Sequence, residues 1–266
     1  MDLKKKALEI RKDMLIMLNK AGSGHTAGPL GMTDIFTYLY FNFLKVNPKK
    51  PLDPNRDYLI LSNGHICPVQ YTVLAHKGFF PKTHLATLRK LSSPLQGHPH
   101  RTQLPGIETT SGPLGSGISQ ACGVALGLKL DKKPNRVVCI TSDGEHQEGN
   151  TWEAILLAAK YKLNNLIVIV DRNKIQIDGN TEDIMPLGSL KDKYKAFEWS
   201  VQEINGHDFE EIEKALEKAD KIKTMPSVIV ANTTPGKGVK FMEDDYTWHG
   251  KTPSEDDLRE ALEELK

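Results

Sequence analysis

Oxygen-bearing side chains follow two apolar runs of this chain, where two neighbouring strands would end. Asp143 and Gly144 follow Val137–Ser142, and Asn173 follows Leu166–Asp171. Such runs predict buried parallel strands, whose carboxyl ends share the sheet edge at which α/β proteins bind ligands. A hard cation such as Mg2+ takes oxygen ligands and completes its shell with phosphate and water. One Asp and one Asn are too few for a cage of protein alone, so the pattern predicts a metal that bridges the chain to a diphosphate.

Each of these residues also has a plainer explanation. Asp at a strand end and Asn in a turn are common, and Gly144 permits a tight turn whether or not a phosphate approaches it. Ile175 and Ile177 alternate as in an ordinary core strand. Taken singly, the residues do not decide between a ligand site and a turn.

The apolar periodicity predicts an α/β fold with a mostly parallel central sheet and helices on both faces, in a single domain spanning 1–266. The predicted strands are Tyr58–Leu61, Val137–Ser142, Leu166–Asp171, Ser200–Ile204 and Ser227–Ala231. The predicted helices are Leu3–Lys20, Met32–Phe43, Ile66–Lys77, Leu114–Leu130, Gln147–Tyr161, Phe209–Lys221 and Ser254–Leu265. The segment 80–108 has few such signals and is expected to be an ordered loop over the site.

Composition excludes several classes of protein. The formal net charge of +1 shows no basic excess, so nucleic acid is not an expected partner. No run is long and apolar enough to predict a membrane span or a signal peptide. Cys67, Cys122 and Cys139 lack disulfide or metal-site spacing, which favours buried free thiols and a reducing cytoplasm.

The residues around Asp143 extend into a longer motif, made of Ser142–Ala154, Asn164–Leu166 and Asp171–Gly179. Together these stretches resemble the thiamine-diphosphate motif of transketolases. The run Glu-His-Gln-Glu-Gly-Asn-Thr-Trp-Glu-Ala after Gly144 separates transketolases from other thiamine-diphosphate enzymes. Ser142 stands where the family usually has glycine.

The likeness continues in family order along almost the whole chain. The matching segments are Ser23–Gly31, Leu61–His65, Gly97–Pro99, Thr110–Gly117, Gly236–Gly238 and Trp248–Gly250. One departure is His100, which replaces the commoner acidic residue after Gly97–Pro99. The resemblance implies the thiamine-diphosphate-binding fold.

The resemblance also implies roles for the residues near the cofactor. Asp143, Asn173 and the backbone carbonyl of Ile175 would bind Mg2+, with Ca2+ or Mn2+ as possible replacements. Gly144 would donate its backbone N–H to a diphosphate oxygen, and Ile177 would contact the thiazolium ring. Further cofactor contacts are implied for Gly112, Pro113, Leu114, Glu145, Glu148, His65 and His249.

Four histidines fall on the family's active-site positions: His25, His65, His98 and His249. Imidazole titrates near neutral pH, and ketol transfer moves protons on and off sugar hydroxyls. By resemblance, His25 and His249 would handle the hydroxyl of the bond being broken. His65 would lie near the diphosphate and His98 near the donor's carbon-1 hydroxyl. A lone histidine is more often structural, and His146, inside the motif, is not assigned.

Glu148 matches a glutamate that meets the partner domain's glutamate across the family's dimer interface. The plainer alternative is an acid at a helix N-terminus, which the helix dipole favours. Gly112 to Leu114 could likewise be an ordinary helix start with Pro near its first turn.

Transketolases are much longer than this chain and carry a pyrimidine-binding domain and a C-terminal domain. The resemblance therefore implies the N-terminal subunit of a split transketolase, which forms a heterotetramer with a separate C-terminal subunit. The expected reaction transfers a two-carbon ketol unit from xylulose 5-phosphate to ribose 5-phosphate or erythrose 4-phosphate in the pentose phosphate pathway.

Two alternatives remain open at this point. One is a related ketol transferase that acts on another, branched, ketose phosphate. The other is a thiamine-diphosphate-binding module without catalysis, against which stand the four histidines and both metal-binding side chains. A dinucleotide-binding Rossmann domain is not favoured, because Asp-Gly-Glu replaces the glycine-rich turn.

Overall fold

Five parallel strands form the central sheet of the computed structural model, which describes all residues 1–266. The strands are β1 (Tyr58–Leu61), β2 (Val137–Ser142), β3 (Leu166–Arg172), β6 (Ser200–Asn205) and β7 (Ser227–Asn232). Their order is β1-β2-β3-β7-β6, and every neighbouring pair is parallel. A separate antiparallel hairpin contains β4 (Ile175–Gln176) and β5 (Gly179–Asn180).

Ten α-helices surround the sheet. They are α1 (Leu3–Ala21), α2 (Ala27–Gly31), α3 (Thr33–Tyr38), α4 (Cys67–Lys77), α5 (Ser116–Leu130), α6 (Gly149–Lys160), α7 (Thr181–Ile184), α8 (Leu190–Ala196), α9 (Phe209–Lys221) and α10 (Glu255–Glu264). None of them is both long and apolar enough to span a membrane.

Alternate residues of the central strands face opposite cores. Val138 and Ile140 pack in one apolar cluster with residues of α1, α3, α4 and α9. Val137 and Cys139 pack in a second cluster with residues of α5, α6 and α8. Because both faces of the sheet are covered, its inner strands β2, β3 and β7 are largely apolar runs in the sequence, whereas the edge strand β6 is more polar and partly exposed. The predicted α/β fold, with helices on both faces of a parallel sheet, is confirmed.

Most predicted elements lie within two residues of those observed. Phe209–Lys221, Tyr58–Leu61 and Val137–Ser142 have the predicted bounds, and Ser254 caps α10 by accepting a hydrogen bond from the Asp257 amide. The predicted helix Met32–Phe43 is α3 followed by a π-helical turn. Helix α6 begins at Gly149 rather than Gln147, because residues 144–147 form a 3-10 turn. The short helices α2, α7 and α8 and the β4–β5 hairpin were not predicted, since they are too short to show a period.

All three cysteines are buried free thiols, as expected. Within segment 80–108 the only regular element is a 3-10 helix at Lys82–Thr87, so the prediction of an ordered loop is also confirmed.

Strands β2 and β3 bring the two halves of the long motif together. Ser142 pairs with Asp171 in register, and the Asp143 amide donates to the Asp171 carbonyl at 3.0 Å. The segments after both strands therefore meet at the carboxyl edge of the sheet.

Candidate active site

A cavity of about 490 Å³ opens at this edge of the sheet. It collects residues from several separate segments of the chain. Its lining includes most of the residues singled out from the sequence: His25, His65, His98, Gly112, Leu114, Gly144, Glu145, Glu148, Asn173, Ile175, Ile177 and His249. Pro113 lies outside the lining, and Asp143 is fully buried behind it.

Three of the histidines form a cluster. The ring centroids of His25 and His65 are 4.9 Å apart, those of His65 and His249 are 5.3 Å apart, and those of His25 and His249 are 5.4 Å apart. They come from the loop before α2, the turn after β1 and the turn before α10. His98 lines the same cavity from the loop before α5.

Burial keeps these imidazoles neutral. It lowers the pKa of His25 to about 4, and the other histidines and Arg89 add to this effect. Burial likewise lowers the pKa of His65 well below its usual range, and lowers the pKa values of His98 and His249. A neutral imidazole has one nitrogen that accepts a proton and one N–H that donates a hydrogen bond, so these side chains can act as bases toward a bound hydroxyl.

Asp143 is held by three donors. Its Oδ1 accepts the Gly144 amide at 2.7 Å, and its Oδ2 accepts the Lys174 amide at 2.7 Å and Arg172 Nη1 at 2.9 Å. Arg172 also pairs with Glu182, at 2.6 Å. Burial raises the pKa of the Asp143 carboxyl, and the guanidinium and the backbone amides oppose that rise. Since each carboxylate oxygen can accept about two bonds, Oδ1 keeps acceptor capacity.

Asn173 is oriented by a buried acid. Its Nδ2 donates to Asp171 Oδ2 at 2.8 Å, and its Oδ1 accepts the Ile175 amide at 3.0 Å. The other oxygen of Asp171 accepts the hydroxyl of Thr233, from the loop after β7. Complete burial raises the pKa of Asp171 to about 7. Asp171 therefore fixes which way the Asn173 amide points, although it does not line the cavity.

Glu145 ties three loops together. Its carboxylate accepts the Ser62 hydroxyl after β1, the Gly115 amide at 2.5 Å and the Ser142 amide at 3.3 Å. Burial raises its pKa to about 7. A Cβ added at Gly117 would lie 2.4 Å from Ser62 Cα, so only glycine lets the first turn of α5 approach this closely. Glu145 thus holds the loops that form the cavity.

His146 is structural. Its Nδ1 bonds the Ser142 carbonyl at 2.7 Å and its Nε2 bonds the Tyr194 hydroxyl at 2.8 Å. Since a carbonyl only accepts, Nδ1 carries the proton and Nε2 accepts from Tyr194. Complete burial lowers the pKa of His146 to about 4. The residue left unassigned from the sequence braces the turn after β2 from behind.

We expect His146→Ala to lower the free energy of unfolding by about 2–4 kcal/mol, because it opens a cavity and leaves two polar groups unpaired. The unfolded imidazole titrates near 6.5 and the folded one near 4. The unfolded state thus binds more protons between these values, so stability falls as pH drops through that window. The free energy of unfolding, measured with urea at pH values from 7 to 4, should depend less steeply on pH in the variant than in the unaltered chain. Tyr194→Phe, which removes one hydroxyl, should cost about 1 kcal/mol; equal losses in both variants would contradict this account.

The rim of the cavity is open. Glu148 precedes α6 and is exposed, and its side chain makes no capping bond. The side chain of Ile177 is 67 % exposed, whereas that of Ile175 is only 4 % exposed. The explanation of Ile177 as a core residue is therefore wrong, because an apolar side chain at a rim has no apolar neighbours to bury it.

Residues 4–265 match the family described as transketolase, thiamine diphosphate binding domain. The chain belongs to this family.

Similar proteins span the transketolase family. The 6-deoxy-6-sulfo-D-fructose transketolase subunit SqwG of Clostridium sp. (strain MSTE9) is 42% identical over 265 residues, covering 100% of this chain and 96% of that protein. One of the subunits of the apulose-4-phosphate transketolase of Actinobacillus succinogenes is 40% identical, with coverage of 100% and 96%. The solved transketolase of Leishmania mexicana superposes with a TM-score of 0.94 at 33% identity, and the chain spans 41% of its length.

The cavity of this transketolase-family chain fits thiamine diphosphate. Three buried polar atoms in its walls have no partner within the chain, namely His25 Nδ1, His249 Nδ1 and Gln176 Oε1. A Cβ at Gly112 would meet nothing within 4 Å, so the backbone there is open to a ligand. The Asp143 and Asn173 side chains and the Ile175 carbonyl make an all-oxygen set, which suits a hard cation.

Several residues of this transketolase-family site lie within the motif Asp171–Gly179 but had no role predicted from the sequence. Gln176 and Asp178 line the cavity, Asp171 orients Asn173, and Arg172 holds Asp143. Their individual roles could not be predicted, since each depends on a contact or a position that exists only in the folded chain.

Asp171→Asn should weaken cofactor binding by about 10- to 100-fold, the range seen when a side chain behind a metal ligand is lost. Its amide would present a donor to Asn173 Nδ2 or to the Thr233 hydroxyl, so the Asn173 amide would turn. Calorimetric titration with thiamine diphosphate and Mg2+ measures the change. Thr233→Val, which leaves the carboxylate in place, should have a smaller effect; unchanged affinity in Asp171→Asn would contradict the role of Asp171.

Proposed function

We propose that this chain is the diphosphate-binding subunit of a thiamine-diphosphate-dependent ketol transferase. Its donor would be a ketose with a terminal anionic group, and its acceptor an aldose phosphate. The observation that carries the proposal is the single cavity in which four histidines face the diphosphate motif. A cofactor-binding module without catalysis would have no need for these imidazoles.

The donor favoured here is a less common ketose rather than xylulose 5-phosphate. The relatives that match this chain over almost their full lengths are named for 6-deoxy-6-sulfo-D-fructose and apulose 4-phosphate. The expectation of a pentose phosphate pathway enzyme therefore has less support than its alternative, a ketol transferase for another, branched or modified, ketose.

In this proposal Asp143, Asn173 and the Ile175 carbonyl would bind Mg2+. The Gly144 amide, which donates to Asp143 Oδ1 in the structure, would turn to the diphosphate. Glu145 holds the loops around them. Ile177 and Leu114 contact the rings of the cofactor. Thiamine diphosphate, when bound, supplies the carbon nucleophile and stabilises the carbanion that ketol transfer requires.

The histidines handle protons. His25 and His249 accept the proton of the donor hydroxyl whose carbon–carbon bond breaks, and return it to the acceptor. Their free Nδ1 atoms support this role, and their lowered pKa values leave both imidazoles unprotonated near pH 7. His98 would bind the hydroxyl at the donor's carbon 1, and His65 would lie near the diphosphate.

A second polypeptide completes the site. We propose a separate chain with the pyrimidine-binding domain, assembled with residues 1–266 as a heterotetramer in the cytoplasm. Exposed groups at the cavity and along α6 support it. Glu148 and Ile177 line the cavity, Glu148 makes no capping bond and Ile177 is 67 % exposed. Leu156 and Leu157 of α6 are 60 % and 41 % exposed. Glu148 would meet the glutamate of that second chain.

The test is reconstitution of ketol transfer. This chain would be assayed alone and mixed with a candidate partner, with thiamine diphosphate, Mg2+ and glyceraldehyde 3-phosphate or ribose 5-phosphate as acceptor. The donors are 6-deoxy-6-sulfo-D-fructose, apulose 4-phosphate and xylulose 5-phosphate. We expect turnover only in the mixture, with a kcat/KM for one of the first two that exceeds the value for xylulose 5-phosphate.

The contradicting outcomes are distinct. Full turnover by this chain alone would overturn the need for a partner. Preference for xylulose 5-phosphate would restore the pentose phosphate interpretation. Tight cofactor binding without turnover on any donor would favour the binding module.

A further inference from the structure

A histidine outside the cavity is bonded to the loop that follows β7. His207 lies between β6 and α9 and does not line the active-site cavity. Its Nδ1 lies 2.9 Å from Asp34 Oδ2, and its Nε2 accepts the Thr234 amide at 2.8 Å. Since a backbone amide only donates, Nε2 is the acceptor nitrogen, and Nδ1 carries the proton that Asp34 accepts. Both ring nitrogens are therefore used, and the imidazole is held as one tautomer.

Asp34 is a fixed anchor for this imidazole. The residue lies on α3 and is buried. Arg11, on α1, donates from Nη1 to Asp34 Oδ1 at 3.0 Å and from Nη2 to Asp34 Oδ2 at 2.7 Å. A two-pronged pair of this kind fixes the orientation of the carboxylate as well as neutralising its charge. His207 is therefore tied, through one carboxylate, to two helices.

The loop that this imidazole holds, residues 233–236, reaches the proposed metal site. The Thr233 hydroxyl donates to Asp171 Oδ1, and Asp171 Oδ2 accepts Asn173 Nδ2 at 2.8 Å. A Cβ added at Gly206 would lie 2.6 Å from Thr233 Cγ2, so glycine at position 206 lets the threonine take this place. The loop thus contacts, through one carboxylate, the amide that is proposed to bind the metal.

The same loop packs against α2, which begins two residues after His25. The Gly236 amide donates to the Ala27 carbonyl at 2.8 Å, and a Cβ added at Gly31 would lie 2.9 Å from the Thr234 carbonyl oxygen. Contact this close between two backbones leaves the loop and the helix little room to move independently. A shift of the loop would therefore reach both the histidine cluster and the metal ligands.

A plainer explanation is that His207 only adds stability, as a histidine paired with an acid. His76 is such a case: its Nε2 bonds Asp13 Oδ2 at 2.7 Å, which joins α4 to α1. The two histidine side chains are similarly enclosed, at 13% exposed for His207 and 3% for His76. His207 differs because its second nitrogen bonds the backbone of a loop that reaches the site.

We propose that His207 is a positioning residue for Asn173. It fixes the 233–236 loop, so that Thr233 holds Asp171, and the acid in turn sets the direction of the Asn173 amide. His207 itself touches neither cofactor nor substrate. This inference rests on the proposed function for the metal that the amide would bind, but the direction of the amide is a property of this chain and can be measured without cofactor.

The first experiment compares two amides at position 207 in the full chain without cofactor. Glutamine reaches about as far as the imidazole and keeps one donor and one acceptor, whereas asparagine is one methylene shorter and can bond Asp34 but not Thr234. The side-chain amide signals of Asn173 are followed by NMR. We expect His207→Asn to shift these signals and His207→Gln to leave them close to those of the unaltered chain.

His76→Asn is the matched control, since it removes a histidine–carboxylate bond that does not involve the loop. It should lower the melting temperature, as His207→Asn does, but leave the Asn173 signals in place. Unchanged Asn173 signals in His207→Asn overturn the proposal, because the amide would then be oriented without His207. Equal shifts in His207→Asn and His76→Asn also overturn it, because they would show a general loss of stability.

The second experiment measures binding of thiamine diphosphate with Mg2+ by calorimetric titration. His207→Asn should weaken binding by about 3- to 10-fold, less than the loss of a side chain directly behind a metal ligand. The double variant with Thr233→Val should lose no more affinity than the weaker-binding of the two single variants, because effects within one network are not additive. Fully additive losses would mean that His207 does not act through Thr233, which overturns the proposal. If the unaltered chain binds no cofactor, the proposed function has failed, and the Asn173 signals still decide the role of His207.

Discussion

Replacement of Asp143 by asparagine should weaken metal-dependent binding of thiamine diphosphate by more than about 100-fold, beyond the loss seen for residues behind a ligand. Asp143 is the only carboxylate in the proposed ligand set. Its two oxygens also hold the Gly144 and Lys174 amides, and asparagine keeps only one acceptor oxygen, so the turn that would face the diphosphate loses part of its support. Calorimetric titration with the cofactor at fixed Mg2+ measures the loss.

The control for this variant concerns Arg172. When residue 143 is asparagine, Glu182 is the remaining carboxylate partner of Arg172. The Arg172 side chain is only 10% exposed. Glu182→Gln removes that other partner, and should lower the melting temperature without changing cofactor affinity. If Asp143→Asn binds the cofactor and Mg2+ with unaltered affinity, Asp143 is a turn residue and the metal site lies elsewhere.

Replacement of His25 by alanine should lower kcat by about 10²- to 10⁴-fold in the enzyme assembled with its partner, the usual contribution of general acid–base catalysis. Within the cluster of His25, His65 and His249, His25 Nδ1 has no hydrogen-bond partner in the chain. This nitrogen is therefore available to a substrate hydroxyl. Pre-steady-state or steady-state assays on the preferred donor measure the change.

The pH dependence gives a second readout for His25. Burial lowers its pKa to about 4, so the imidazole is a free base from neutral pH down to that value. Turnover should therefore persist below the ordinary histidine value of about 6.5 and fall as pH approaches about 4. His84→Ala, an exposed histidine away from the cavity, is the matched control. A kcat unchanged in His25→Ala, at any pH, would remove His25 from proton transfer.

The strands and most helices of this chain follow from local sequence patterns. Strands β1 and β2 and helix α9 have the predicted bounds, because apolar runs and helical periodicity are properties of adjacent residues. The placement of Asp143 and Asn173 at the same edge of the sheet was also predicted, since parallel strands place their carboxyl ends together. The resemblance to transketolases rested on the long motif around these two residues and on six further segments in family order, and the match of residues 4–265 confirmed it.

Contacts between distant segments were decided only by the tertiary structure. The approach of His25, His65 and His249 depends on how three loops close over the sheet, and no spacing in the sequence states their separation. The bond from the Thr233 hydroxyl to Asp171 depends on the pairing of β3 with β7. The same holds for the structural role of His146, whose partner Tyr194 lies on α8, a helix too short to predict.

Arg89 is the clearest case of this division. The sequence around it contains no period and no motif, so it indicated only a loop. The folded chain places its guanidinium against Gly97, in the loop that carries His98 into the active-site cavity. Residue types and their order thus determined the fold and the chemistry that the site could perform. The closure of the loops determined which charges face that site, because electrostatic coupling depends on distance in space and not along the chain.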